Sequence, residues 1–142
     1  MRFWDASAVV PLVVAEEATN QCRKFLAEDP EVVVWCLTPV EVISALTRRR
    51  RESALKPTEF RKAKEQLVLL ERAWSEVVSL ERVRERARRL LESHPLRVTD
   101  ALQLAAALVA AEDNPADVPC VTLDRRLALA AEKEGFPVLG AR

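Results

Sequence analysis

Four carboxylates in this chain occupy positions from which they could do metal chemistry. Asp5 directly follows the apolar segment Arg2–Trp4, and Glu41 lies in the first turn of a predicted helix. Asp100 opens a strongly apolar helix, and Asp124 follows another apolar strand. Clustered carboxylates raise each other's pKa and repel one another unless a cation is present, and hard divalent cations prefer oxygen ligands. If the fold brings them together, all four are predicted to be catalytic and to hold Mg²⁺ or Mn²⁺.

The remaining chemical groups narrow the reaction. The only histidine, His94, lies in a Ser-His-Pro loop and is interpreted as structural, so no serine–histidine or cysteine–histidine pair is predicted. Carboxylates with a divalent cation can activate water and stabilise the attacking and leaving oxygens of a phosphodiester. Ser7 and Thr122 each stand two residues from one of the carboxylates and are predicted to orient it by a hydrogen bond. Plain helix capping is the alternative for both hydroxyls.

Each acid also has a local structural alternative. Asp5 could be a strand-end turn residue, and Glu41 could complete a capping box with Thr38. Asp100 could compensate a helix dipole, and Asp124 could be a helix N-cap. Together these alternatives are weaker, because a cluster of carboxylates needs a counter-charge. No Lys or Arg adjoins Asp5, Glu41 or Asp100 in the sequence.

Periodicity, caps and breakers predict the elements that would position these groups. The predicted strands are Arg2–Trp4, 31–35, 77–80, 118–123 and an edge strand 136–139. The first strand is followed by an apolar helix with Ser7 at its N-cap and Pro11 near its first turn, and then by a helix Thr19–Glu28. The later helices run from Thr38 to about residue 52, from Pro57 to about residue 74, over 81–93, from an N-cap at Thr99 through an apolar run, and over 125–134. This alternation predicts an α/β domain around a parallel sheet of about five strands flanked by helices.

The helix that begins near Asp100 is predicted to be the most buried element. From residue 101 to residue 111 only Gln103 is polar, and the run is too short for a membrane span, which needs roughly 20 apolar residues. An all-round apolar helix of this length belongs inside a fold. Ligands bind outside the carboxyl ends of parallel strands, so all four acids are predicted to converge at that edge of the sheet.

Composition limits the class of protein. A chain of 142 residues predicts a single domain over 1–142, and 22 basic against 22 acidic residues exclude a general basic field for nucleic acid. Two glycines are too few for a glycine-rich phosphate loop. An odd number of cysteines, Cys22, Cys36 and Cys120, predicts reduced thiols in a cytoplasmic protein. Neither a signal peptide nor a membrane segment is predicted.

Four runs of residues carry a resemblance to a known family. They are DASA from Asp5, PVE ending at Glu41, DALQLAAA from Asp100 and TLDRRLA from Thr122. In this order and spacing the chain resembles PIN-domain ribonucleases and, more narrowly, VapC-type toxins of bacterial toxin–antitoxin pairs. The resemblance implies a PIN-like three-layer fold and a metal-dependent endoribonuclease that cuts RNA. It also implies a homodimer inhibited by a cognate antitoxin.

Two other functions remain open at this stage. One is a non-catalytic PIN scaffold that binds RNA or a protein partner. The other is a magnesium-dependent phosphatase with Asp5 as nucleophile, although Ser7 stands where such an enzyme usually has a second aspartate. Basic contacts to RNA or to an antitoxin are predicted at a run of four arginines, with a helix-dipole role as the alternative. These arginines are Arg48, Arg49, Arg50 and Arg51.

Overall fold

The computed structural model describes residues 1–141, which form five strands, seven α-helices and a short 3₁₀ turn at Pro115–Asp117. The strands are β1 (Arg2–Trp4), β2 (Val32–Trp35), β3 (Ser75–Val77), β4 (Cys120–Thr122) and β5 (Val138–Gly140). The helices are α1 (Ala6–Val13), α2 (Thr19–Glu28), α3 (Thr38–Arg51), α4 (Pro57–Ala73), α5 (Leu80–Ser93), α6 (Val98–Ala110) and α7 (Arg125–Lys133).

The five strands form one parallel sheet with the order β3-β2-β1-β4-β5. This arrangement confirms the predicted α/β fold and the predicted number of strands. β1 lies at the centre, where Phe3 pairs with Val33 on one side and with Cys120 on the other. β5 forms one edge, as predicted for the last strand, and Pro137 immediately precedes it. The carboxyl ends of all five strands therefore face one edge of the sheet.

Helices cover both faces of the sheet, so the fold has three layers: helices, sheet and helices. Successive residues of a strand point to opposite faces, so Phe3 enters one core cluster and Trp4 enters the other. The Phe3 cluster lies beneath α5, α6 and α7, and the Trp4 cluster lies beneath α1 and α4. Trp35 and Trp74 are also buried. The three tryptophans are thus core residues.

Four strands differ from the predicted bounds. β2 begins one residue later than predicted, and β5 covers 138–140 instead of 136–139. β3 begins two residues earlier than predicted, because its hydrogen bonds with β2 extend from Ser75 to Val77. Val78 and Leu80, which were assigned to that strand, are 69% and 61% exposed and lead into α5. β4 is limited to Cys120–Thr122, the part that pairs with β1 and β5. The apolar runs in the sequence therefore locate these strands, but they do not show which residues pair with a neighbouring strand.

Three predicted N-caps are wrong. The cap of α1 is Asp5, whose side chain accepts from the Ser7 backbone N–H. Thr38 is the first residue of α3 and is fully buried, so its hydroxyl does not cap that helix. Thr99 lies inside α6, which begins one residue earlier at Val98. The predicted cap at Asp124 is confirmed.

α6 is the helix that the sequence predicted to be buried. Its residues from Gln103 to Val109 are all buried, and its small side chains allow a close contact with α5. Pro11 lies beyond the first turn of α1, which ends two residues later at Val13. A proline inside a helix removes a hydrogen bond and clashes with the preceding turn. In the described residues no helix combines the length and apolar composition required for a membrane span.

Candidate active site

Asp5 lies where β1 ends and α1 begins, and it is only 4% exposed. Its Oδ2 accepts a hydrogen bond from the Ser7 hydroxyl and one from Thr122 Oγ1 at 2.8 Å. The Ser7 backbone N–H donates to the same oxygen at 3.3 Å. All three of these hydrogen bonds use Oδ2, and none uses Oδ1. The two hydroxyls therefore fix the orientation of this buried carboxylate.

The two hydroxyls are themselves held by the backbone that follows β4. The N–H of Leu123 donates to Ser7 Oγ at 2.9 Å, and the N–H of Asp124 donates to Thr122 Oγ1 at 3.1 Å. The structure thus places both predicted hydroxyls on Asp5, and neither of them on the Asp124 carboxylate. This network joins the end of β1 to the end of β4.

Glu41 and Asp100 lie on different helices and face the same region. Burial is the main cause that raises the pKa of Glu41 to about 7, and the negative charges of Asp5 and Asp100 add to the increase. Burial also raises the pKa of Asp100 to about 6, with further contributions from Asp124 and Asp5. The capping box predicted for Glu41 is absent, because α3 begins without a side-chain cap. Glu41 is therefore available to the site.

Asp124 caps a helix, as Asp5 does at the start of α1. Its Oδ1 accepts from the backbone N–H groups of Arg126 at 2.8 Å and Leu127 at 3.0 Å, which caps α7. Its negative charge contributes to the raised pKa of Asp5, although burial is the larger cause there. It also contributes to the raised pKa of Asp100. Asp124 therefore belongs to the cluster while it holds the start of α7.

The four acids form one electrostatic cluster, but their side chains do not converge on a single point as metal ligands do. None of them makes an ion pair within residues 1–141. In that part of the chain no three His, Cys, Asp or Glu side chains have the arrangement of a finished metal site. The donor set nevertheless suits a hard cation, because it consists of carboxylate oxygens with which no Lys or Arg forms a direct ion pair in the described residues.

A cleft of about 420 Å³ lies at the Asp100 and Asp124 side of this cluster and is also lined by arginines. Asp100 and Asp124 line it together with Arg97, Arg125 and Arg126. Arg97 and Arg126 lower the pKa of Asp100 and so oppose part of its increase. Sequence reasoning missed these arginines as candidate contacts. The available signal was their position, since Arg97 immediately precedes α6 and the other two immediately follow Asp124.

A second missed feature is a buried hydrogen bond between α3 and α6. Gln103 is fully buried, and its Nε2 donates to Thr38 Oγ1 at 3.1 Å. The same amide interacts with Glu41 and opposes the increase of its pKa. The Gln103 Oε1 atom is buried and has no hydrogen-bond partner in the described residues.

The arginine run 48–51 lies away from the acids. Glu41 is in the first turn of α3 and the arginines are in its last turn, which at ~1.5 Å per residue corresponds to roughly 10–15 Å along the helix. Arg49 pairs with Glu16 at 2.9 Å, and the Arg50 guanidinium lies 4.2 Å from the centre of the Phe60 ring. A contact of this run with RNA or with an antitoxin stays a prediction, and it would be made outside the cleft.

The single histidine lies outside the carboxylate cluster. His94 Nε2 lies 2.7 Å from Glu134 Oε2, and its side chain is only 7% exposed. Arg89 Nη2 donates to the other oxygen of Glu134 at 2.7 Å. The three side chains connect the end of α5 to the end of α7, in agreement with the structural interpretation of His94.

Comparison with known proteins identifies the fold and the family. The family model described as "PIN domain" matches residues 2–133. Among solved structures, the crystal structure of PAE2754 from Pyrobaculum aerophilum is similar, with a TM-score of 0.64 and 20% sequence identity. The similarity covers 99% of this chain and 87% of that chain. No curated protein matches the sequence.

Proposed function

The chain belongs to the PIN domain family, and from that premise we propose that it is a metal-dependent endoribonuclease. PIN domains are generally nucleases, so hydrolysis of a nucleic-acid phosphodiester is the activity to expect of the fold. The observation that carries the proposal is the cluster of Asp5, Glu41, Asp100 and Asp124. They lie at the carboxyl edge of the sheet, and burial and mutual repulsion raise the pKa of the first three.

The four carboxylates would hold Mg²⁺ or Mn²⁺. Asp5 suits the role of a fixed ligand, because Ser7 and Thr122 occupy Oδ2 and leave Oδ1 free of their hydrogen bonds. Glu41 and Asp100 are less buried, so their side chains have room to adjust to an ion. When bound, such a cation activates water and stabilises the attacking and leaving oxygens of a phosphodiester.

The rim of the cleft supports RNA as the substrate. Arg97, Arg125 and Arg126 place positive charge in the same cleft as Asp100 and Asp124. Arginine binds phosphate oxygens through two parallel N–H donors, and contacts of this kind orient a nucleic-acid backbone without reading its sequence. The chain has no overall positive charge, so binding would depend on these local arginines.

The proposal includes the finer role of a VapC-type toxin with a cognate antitoxin. An apolar groove between α3 and α4 supports a protein partner close to the site. Val40 and Val68 line this groove and are 64% and 45% exposed, and exposed apolar patches are typical of interaction sites. Light scattering would test the homodimer, and co-purification with the product of the adjacent gene would test the antitoxin. The free thiols of Cys22, Cys36 and Cys120 support a location in the reducing cytoplasm.

Cleavage of a labelled RNA panel tests the catalytic proposal. Purified protein would be assayed with Mg²⁺, with Mn²⁺ and with EDTA, alongside Asp5→Asn and Asp100→Asn. Substitution of residues that only orient ligands typically costs about 10–100-fold, so loss of a ligand should reduce cleavage by at least ~100-fold. Asp117→Asn is the matched control, because Asp117 is exposed and outside the cluster.

The outcomes separate the alternatives. Metal-dependent cleavage that both site variants lose and Asp117→Asn retains would support the proposal. Cleavage that persists in EDTA and in the site variants would refute it. RNA binding without cleavage, in protein freed of any co-purified antitoxin, would favour the non-catalytic scaffold.

A further inference from the structure

The hydrogen bond between Gln103 and Thr38 joins the two helices that carry Asp100 and Glu41. Gln103 is three residues after Asp100 on α6, and Thr38 is three residues before Glu41 on α3. Residues three apart share one face of a helix. The side chains of Gln103 and Thr38 therefore join α6 to α3 on the same faces that present Asp100 and Glu41.

The amide at position 103 is not explained by packing. Gln103 is fully buried on an otherwise apolar helix, and its Oε1 has no partner in the described part of the chain. An unsatisfied buried acceptor destabilises a fold, whereas an apolar side chain of similar size would not. Leu104 and Leu108 show that this helix accommodates large apolar residues. The buried amide therefore destabilises the fold at Oε1, while its Nε2 makes the hydrogen bond that joins α6 to α3.

We propose that Gln103 is a positioning residue that sets Glu41 relative to Asp100 through its hydrogen bond to Thr38. The inference rests on the proposed function, since it takes these two acids as ligands of one cation. Gln103 itself touches neither the cation nor RNA. Its Nε2 has two hydrogens, and the hydrogen bond to Thr38 Oγ1 uses one of them.

Mn²⁺ affinity, measured by titration, is the decisive measurement, because it requires no RNA cleavage. Gln103→Met and Thr38→Val each remove one side of the hydrogen bond, and each should weaken Mn²⁺ binding about 10-fold to 100-fold. Thr38→Ser keeps the hydroxyl and should retain wild-type affinity. The variant with both Gln103→Met and Thr38→Val should bind no more weakly than the worse single variant. Leu104→Met is the matched control for a core substitution on the same helix.

A purely structural role predicts a different pattern. Gln103→Met would then change the melting temperature and leave Mn²⁺ affinity equal to that of Leu104→Met, which would overturn the inference. NMR of the metal-free protein adds a second criterion. The Gln103 side-chain amide protons should exchange slowly and should shift in Thr38→Val, and fast exchange with no shift would also overturn it.

The two proposals can fail separately. If the wild-type protein binds Mn²⁺ but cleaves no RNA, the proposed nuclease activity is refuted. The Mn²⁺ affinities of the Gln103 and Thr38 variants then still decide the positioning role. Wild-type protein that cleaves RNA, with Gln103→Met retaining full Mn²⁺ affinity, would refute only the positioning role. Wild-type protein that binds no Mn²⁺ would refute the metal site and the positioning role together.

Discussion

Removal of the charge at Glu41 should stabilise the metal-free protein at high pH. Burial raises the pKa of Glu41 from 4.5 to about 7, and nearby carboxylates add to the increase. Folding therefore favours the protonated side chain. Its contribution to stability is fully present below pH 4.5 and is lost as the pH rises to about 7. Glu41→Gln keeps a neutral side chain of the same shape, so it should escape this loss.

The expected magnitude follows from the pKa. At ~1.4 kcal/mol for each tenfold change in the protonation equilibrium, the ionised Glu41 would cost roughly 3 kcal/mol if it were fully shielded from water. The side chain is partly exposed, so solvent screening reduces the expected gain of Glu41→Gln to about 1–2 kcal/mol. For a domain of this size that corresponds to an increase in Tm of about 3–6 °C.

Thermal and urea unfolding in EDTA, at pH 4.5 and pH 8, would measure this gain. Glu41→Gln should exceed the wild type at pH 8 and match it at pH 4.5. Glu65→Gln is the control, because Glu65 is exposed on α4, and it should differ little from the wild type at either pH. A Glu41→Gln protein that is no more stable than the wild type at pH 8 would refute the conclusion that burial and the nearby carboxylates destabilise the ionised Glu41.

Three further predictions concern the metal, the rim and the thiols. Saturating Mg²⁺ should raise the Tm of the wild type more than that of Asp100→Asn, and equal increases would exclude Asp100 as a ligand. Arg125→Ala should raise the KM for RNA and reduce the salt dependence of binding by about one counterion; an unchanged salt slope would place Arg125 outside the interface. Burial raises the pKa of Cys22 to about 11 and that of Cys120 further. A thiol reagent at pH 8 should therefore label the half-buried Cys36 first, and fast labelling of Cys120 would contradict the burial of β4.

The edge of the sheet where the acids meet could be predicted from the sequence. Asp5 directly follows β1 and Asp124 lies two residues after β4, and parallel strands all end at the same edge. The apolar composition of α6 predicted its burial and brought Asp100 to that edge. The strand ends and the burial of α6 could be predicted because they depend only on the order of the elements along the chain and on the periodicity within each element.

Contacts between distant side chains could not be predicted in the same way. Thr38 has the sequence context of an N-cap, yet in the fold its buried hydroxyl accepts from Gln103. The role of Gln103 depends on how α3 and α6 pack, which no spacing within either helix reveals. Similarly, the run of four arginines attracts attention in the sequence, while Arg97 is isolated there and still reaches the cleft.

The central position of β1 also determines when the carboxylate cluster can form during synthesis. β1 pairs with β4, and the hydrogen bond from Thr122 to Asp5 spans 117 residues. Contacts of such long range form late in folding, because the intervening chain must first be ordered. A nascent chain that ends at α6 still has β1 as an open edge strand, and its Asp5 lacks the Thr122 donor. The proposed nuclease would therefore become active only after the last quarter of the chain has joined the fold.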